Sequence, residues 1–290
     1  LSEFKQHYLE HRNDRVAPKT LEADEYSLNS FIKCLGDIKL NAIDFTMIED
    51  SFINKRLKEV KPGSVNAAIR HLKSAFTYAV EHELVNSNPF VKVKLLKVEK
   101  HGRKFFTIDD LKRIDSEINR QDDRQMMWFL ILTGMRIGEM LSLTWNDIHA
   151  DQGLIRVLGK GNKVRIIGIS ADLGNLINQI QHFEGSDFVF PGLRSSPGGV
   201  MVAFGKRSYP RLASRFKSYF KKAGVEGTLH KYRHTFASQM LMKGVGERAL
   251  QLLLGHESIA TTEIYSHLSN DFLKDVMSKL KITELGGTTL

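Results

Sequence analysis

Three short stretches of this chain gather side chains that together can act on a phosphodiester. Thr133-Gly-Met-Arg-Ile-Gly-Glu-Met-Leu141 sets Arg136 behind a Thr-Gly pair, with Glu139 three residues on. His230-Lys-Tyr-Arg-His-Thr235 spaces His230 and Arg233 so that both project from one helical face. Leu254-Gly-His-Glu-Ser-Ile-Ala-Thr-Thr-Glu-Ile-Tyr-Ser-His267 carries His256 on a turn and Tyr265 nine residues later. A phenol has a pKa near ~10, so only about a thousandth is ionised at neutral pH. To attack phosphorus it needs an acceptor for its proton and a phosphate whose charge has been neutralised. Arginine suits the second task, because it is always charged and gives a phosphate two parallel hydrogen bonds. A departing 5′-oxygen leaves poorly unless protonated. Lys160, at the tip of a hairpin, is the fitting acid, a service typically worth ~10²–10⁴ in rate. Lys163, three residues away, can reach in its stead. With Arg, Lys and His stabilising charge, this chemistry calls for no metal and no cofactor.

Each residue also has an ordinary reading. An Arg after a turn is commonly a capping or surface group, and His230 and Arg233 can be solvated helix positions. His234 reads as a core or capping histidine, and His256 can close a helix. Tyr265 is one of seven tyrosines. Joint occurrence sets them apart. Other constellations fail on spacing. Gly159-Lys160-Gly161 lacks the four-residue gap and the Ser or Thr of a P-loop, and it lies between strands. His230 and His234 have zinc-pair spacing without a Glu between them or a Cys to complete the site. Asp109, Asp110, Asp122 and Asp123 fall in helix-start and surface contexts, unlike a two-metal cluster.

The elements that must position these residues fall into two groups. The first ~95 residues read as helices, at Leu1–His11, Pro18–Leu35, Met47–Lys58 and Ser64–Leu84. In the last, Val65, Ala68, Ile69, Leu72, Ala75, Phe76, Ala79 and Val80 form one apolar stripe, with Ser64 as its cap. Thr46 and Glu49 have capping-box spacing at the start of the third. The basic stretch 91–104 has no helical stripe and reads as a linker between domains. Thr107 and Asp110 then start a new helix. Runs 153–159 and 163–169 are β-rich and flank Lys160-Gly161-Asn162, a strong hairpin signal. Helices return at Ser208–Lys222, His230–Lys243 and Gly246–Leu254, with Gly244 and Gly255 placed to end the last two. Asn270–Leu280 is a final amphipathic segment.

Composition sets the frame. At a soft prior of ~150 residues per domain, 290 residues suggest two domains. The chain is 42% hydrophobic and 26% charged, which fits a globular protein and not a disordered one. Its longest apolar run, Met126–Leu132, is far short of the ~20 residues that cross a bilayer. A single cysteine, Cys34, fits a reducing compartment, and no signal-peptide pattern opens the chain, which begins at Leu. Formal charge is +9, and Lys206–Arg233 holds nine Lys and Arg against Glu226 alone. A polyanionic partner is favoured.

Arg136, Lys160, His230-x-x-Arg233, Leu254-Gly255-His256 and Tyr265 stand in the order, and near the spacing, of the tyrosine recombinase (phage integrase) family. The chain resembles that family strongly over roughly 105–268, and its helical first part is more loosely similar to the family's core-DNA-binding domain. The resemblance implies a mainly α protein with a small antiparallel β-sheet. It would comprise a SAM-like helical bundle over 1–95, a basic linker over 96–105 and a catalytic domain over 106–290, closing as a C-shaped clamp on duplex DNA.

It assigns Arg136 and Arg233 to the scissile phosphate, His230 to phosphate binding or proton acceptance, Lys160 to acid catalysis and His256 to a phosphate hydrogen bond. Tyr265 becomes the nucleophile that forms a 3′-phosphotyrosine, and Glu139 a supporting acid. It further implies a homotetramer on a specific double-stranded site, a Holliday junction, accessory DNA-bending factors and a cytoplasmic setting. Segment 270–280 would be exchanged between neighbouring subunits, the alternative being that it packs on its own. Lys231-Tyr232 departs from the usual acidic and aliphatic pair and makes Tyr232 a rival nucleophile. A type IB topoisomerase-like nicking and resealing enzyme, and a catalytically silent DNA-binding accessory protein, are the competing outcomes.

Overall fold

Periodic apolar residues become buried helix faces along the first hundred residues. The computed structural model describes residues 1–98, 105–159, 163–195, 201–255 and 270–287. Its chain divides into two units, Leu1–His101 and Gly102–Leu290. The first contains α1 (Ser2–Arg12), α2 (Pro18–Leu35), a helical stretch α3 over 45–57 and α4 (Pro62–Glu81). The middle of α3, Ile48–Ile53, is π-helical. Phe31, Phe52, Phe76 and Phe90 are wholly buried and pack ring against ring at 5.1–5.5 Å between successive partners.

Two expected caps move. Pro62 takes the first position of α4, where a missing N–H costs nothing, so Ser64 lies inside the helix and does not cap it. At α3 the cap is Asp44, which accepts from the Met47 N–H at 2.7 Å, and Thr46 is already helical. Beyond α4 the chain is tied back to it. Asn66 donates to the Leu96 carbonyl at 2.9 Å and accepts from the Leu96 N–H at 2.8 Å.

The second unit opens with α5 (Ile108–Glu117), whose start is the reciprocal Thr107–Asp110 box. The apolar run 126–132 is buried at every position within α6 (Gln121–Thr133), so it is the central helix of the core. A short α7 (Ile137–Met140) follows. Strands β1 (Ile148–His149), β2 (Leu154–Leu158) and β3 (Val164–Gly168) form an antiparallel sheet in that order. Val157 pairs with Arg165 and Ile155 with Ile167 on its inner face. After α8 (Ala171–Gln179) comes a second hairpin, β4 (Pro191–Ser195) with β5 (Met201–Lys206), which the sequence pattern does not announce.

The unit continues with α9 (Tyr209–Lys222), α10 (Leu229–Met242), α11 (Glu247–Leu254) and α12 (Asn270–Ser278). Val276, Met277, Leu280, Ile282 and Leu285 are buried in the core of their own unit, and the Ile282 N–H donates to Asp172 at 2.7 Å. Among the described residues no helix is long and apolar enough to cross a membrane.

Candidate active site

The site begins where α6 stops. Gly134 ends that helix at φ +63°, a left-handed conformation that glycine adopts freely. A side chain there would also strike the Phe236 ring, since a Cβ would sit 2.4 Å from it. The sharp turn places Arg136 as the residue that precedes α7. The Glu139 carboxylate accepts from the Arg136 backbone N–H at 2.7 Å and from its Nη1 at 2.9 Å. Arg136 keeps 40% of its side chain exposed. Its guanidinium is therefore oriented by one carboxylate and still open to a ligand.

Arg233, on α10, is almost fully buried. Its Nη1 donates to the Gly134 carbonyl at 2.8 Å and its Nη2 to the Leu254 carbonyl. No carboxylate among the described residues pairs with it. Burial lowers its pKa most, the neighbouring charges of Arg136 and Arg165 lower it further, and Glu139 opposes them, leaving it at about 9. A buried guanidinium bonded to two carbonyls is an electropositive group suited to an anion.

Arg165 completes the group and was not singled out in the sequence. It lies on β3 at 4% exposure and embraces Glu139 with two parallel bonds of 3.0 and 2.7 Å. Its Nε donates to the Leu253 carbonyl at 3.0 Å. A signal did exist, because strand alternation puts Arg165 on the same inward face as Ile167. Burial pushes the Glu139 carboxyl up, but its bonds to Arg165 and Arg136 more than offset that and hold it below the usual range.

Arg136, Arg233 and Glu139 are thus brought together. His230 shares α10 with Arg233 but is exposed, and its ring meets His234 edge-on at 4.9 Å between centroids. Lys160, His256 and Tyr265 lie outside the described residues. Both segments that carry them start from this cluster. Gly159 would place a Cβ 3.8 Å from Glu139 Oε1 and from Arg165 Nη1, and Leu253 and Leu254 are the carbonyls that the two buried arginines hold.

Tyr232 is buried among Phe106, Phe216 and Phe220, and burial first, then Asp115 and Asp123, raises its pKa well above the ordinary phenol value. Such a phenol cannot present an oxyanion to a polymer substrate. Among the described residues, no group of three or more His, Cys, Asp or Glu is arranged to hold a metal ion.

Two sequence expectations need correcting. Asp123 is not a surface acid. It is fully buried, gripped by Arg215 through bonds of 2.8 and 2.6 Å, and accepts from the Tyr219 hydroxyl at 3.0 Å. Arg207 binds its neighbour Asp122 at 2.8 Å. Nor do all nine basic residues of 206–233 face outward to meet a polyanion. Arg207, Arg215 and Arg233 are engaged internally, and Lys231 lies 4.4 Å over the Phe106 ring. Lys206, Arg211, Lys217, Lys221 and Lys222 remain exposed.

Comparison with known proteins places these features. Residues 104–271 match the phage integrase family, and residues 1–95 match the phage integrase SAM-like domain. A tyrosine recombinase XerD of Lacticaseibacillus casei is 28% identical over 287 residues, covering 94% of this chain and 95% of the relative. A lambda integrase fragment solved as a dimer on a core site superposes with TM-score 0.74 at 20% identity, over 89% of this chain and 95% of that one. A lambda integrase tetramer bound to a Holliday junction gives 0.73 at 21% identity, over 90% and 78%.

Proposed function

This chain belongs to the phage integrase family of site-specific tyrosine recombinases, and from that premise we propose that it exchanges strands between double-stranded DNA sites through a covalent 3′-phosphotyrosine. Tyr265 Oη attacks the scissile phosphorus as its proton passes to an acceptor, with His230 the candidate. One P–O bond forms to the phenol, and one breaks to the 5′-oxygen, which leaves with a proton from Lys160. The 5′-hydroxyl of a second duplex then attacks the phosphotyrosine and releases the phenol. One ester replaces another at each step, so the exchange needs no external energy source.

Arg136 and Arg233 neutralise the phosphate, and His256 adds a hydrogen bond. The observation that carries this reading is Arg233, a buried cation whose described partners are two carbonyls rather than a carboxylate. Burying a charge without a counter-ion costs several kcal/mol. A diester phosphate supplies the missing charge and two acceptors in the geometry a guanidinium prefers.

The working unit would be a homotetramer acting in the cytoplasm, with accessory DNA-bending factors where the site requires them. Residues 1–95 would hold the core DNA, 96–105 would link the domains and 106–290 would carry the chemistry. Segment 270–280, covered by its own unit in the single chain, would exchange between neighbours in the tetramer. The test is product topology. Two duplexes bearing the site, each with its own end label, should yield molecules that carry both labels, through a four-way intermediate. Relaxation of supercoiled DNA with no doubly labelled product would overturn strand exchange.

A further inference from the structure

Arg165 has none of the roles named above, yet it ties two elements of the site together. Three of its nitrogens are committed, two to the Glu139 carboxylate and one to the Leu253 carbonyl. Through Glu139 it reaches Arg136, whose backbone and guanidinium bond the same two oxygens. Through Leu253 it reaches the turn at the end of α11, where Arg233 holds the next carbonyl, Leu254. Its own strand begins shortly after Lys160 in sequence, and Gly255 approaches it so closely that a Cβ there would lie 3.0 Å from Cδ.

Buried arginines of this kind usually offset a local carboxylate and nothing more. In this chain Arg207 is bound in a similar way, to Asp122, which it shares with Arg120, and to the Pro191 carbonyl, but neither acid nor carbonyl belongs to the site. Arg165 differs in what its bonds reach: its carboxylate orients Arg136, and its third bond goes to the end of α11 beside the carbonyl that Arg233 holds. A lysine has the charge but not the planar fork, so it cannot make all three contacts at once.

We propose that Arg165 is a positioning residue for this reaction, a strap that fixes the Arg136 guanidinium through Glu139 and the end of α11 through Leu253. It rests on the recombinase reading above. The strap touches no reacting atom. It sets the distance between the phosphate-binding arginine and the end of α11, and a misplacement of about 1 Å costs ~10²-fold in rate.

The test compares wild type with Arg165→Lys on nicked DNA carrying the site, at saturating DNA. The scissile phosphate is either natural or a neutral methylphosphonate. Arg165→Lys should bind DNA about as tightly as wild type and cleave the natural phosphate ~100-fold more slowly. On the methylphosphonate, where less charge needs neutralising, the deficit should shrink several-fold. A role confined to stability would lower cleavage of both substrates equally. That result, or wild-type cleavage by the variant, overturns the proposal. Should Arg165→Lys fail to fold, Glu139→Gln, which cuts the same strap at its other end while keeping its shape, must show the same substrate-dependent deficit. Hydrogen exchange decides independently of activity. The amides of residues 252–255 should exchange faster in Arg165→Lys and unchanged in Arg136→Ala, and equal exchange in both variants refutes the strap. If wild type forms no adduct, the recombinase reading fails while this exchange result still settles the strap.

Discussion

Replacing Arg233 with Gln should separate stability from chemistry. The native protein keeps this guanidinium buried between two backbone carbonyls and beside two other arginines, which pulls its pKa down to about 9. At 1.36 kcal/mol for each pH unit, that depression amounts to ~5 kcal/mol of penalty on the charged form. Gln removes the charge and retains an amide for one carbonyl. The other bond, charge-assisted and worth about 1.5–3 kcal/mol, is lost. The balance predicts a free protein about 2–3 kcal/mol more stable than wild type.

The pH dependence follows from the sign of the shift. A cation whose folded pKa is depressed binds its proton less tightly than in the unfolded chain, so its contribution is destabilising below about 9. The penalty begins to be relieved above that value, at 1.36 kcal/mol per pH unit, so the variant's advantage should shrink by about 1.4 kcal/mol by pH 10. Phosphate or sulfate should stabilise wild type, by ~2.7 kcal/mol at a hundred times the dissociation constant, and the variant far less. Thermal unfolding at pH 7 and pH 10, with and without phosphate, reads all three effects. DNA cleavage by the variant should drop by ~10²–10³ or more. A loss of more than about 3 kcal/mol at pH 7, with an anion response equal to that of wild type, would refute the reasoning.

Tyr232→Phe should keep cleavage activity and leave stability level or raised, since the buried hydroxyl has no hydrogen-bond partner among the described residues and such orphans cost about 1–3 kcal/mol. Gly134→Ala should destabilise the second unit and cut cleavage together, because the φ of +63° and the Phe236 ring both oppose a Cβ at the turn that holds Arg233. Asp123→Asn, which strips the carboxylate from Arg215 and Tyr219, should cost about 3–5 kcal/mol in denaturant unfolding. Glu139 has a depressed folded pKa, so its stabilisation is present above the ordinary glutamate range and fades as acid takes pH through the folded value. Unfolding of wild type and Glu139→Gln should therefore differ by a constant amount between pH 5 and 8 and converge in stronger acid.

The parts of the fold legible in the sequence are those where one element decides its own form. Strands 154–158 and 164–168 alternate and flank a glycine turn, Thr107 and Asp110 cap each other, and Gly244 and Gly255 take the positive φ that ends a helix. What stayed hidden depends on partners distant in sequence. Nothing local tells Arg215 or Arg207 from the exposed lysines around them, because their acids lie 92 and 85 residues away. Arg165 was missed for the same reason, since its meaning comes from Glu139, 26 residues earlier. Strands β4 and β5 were hidden by glycines and a bulge that break their alternation. Arg136, Glu139 and Arg233 were legible as a group, but that Arg233 would be buried and Arg136 half-exposed was not.

Under the proposed function, Tyr265 would be the nucleophile of a metal-independent strand transfer. A denaturing gel of wild type, Tyr265→Phe and Tyr232→Phe, each incubated in EDTA with nicked suicide DNA carrying the site, tests it most directly. Wild type and Tyr232→Phe should give a covalent protein–DNA band, and Tyr265→Phe none. A band that survives in Tyr265→Phe, or wild type that shifts the DNA in a native gel yet never becomes attached to it, would contradict the account.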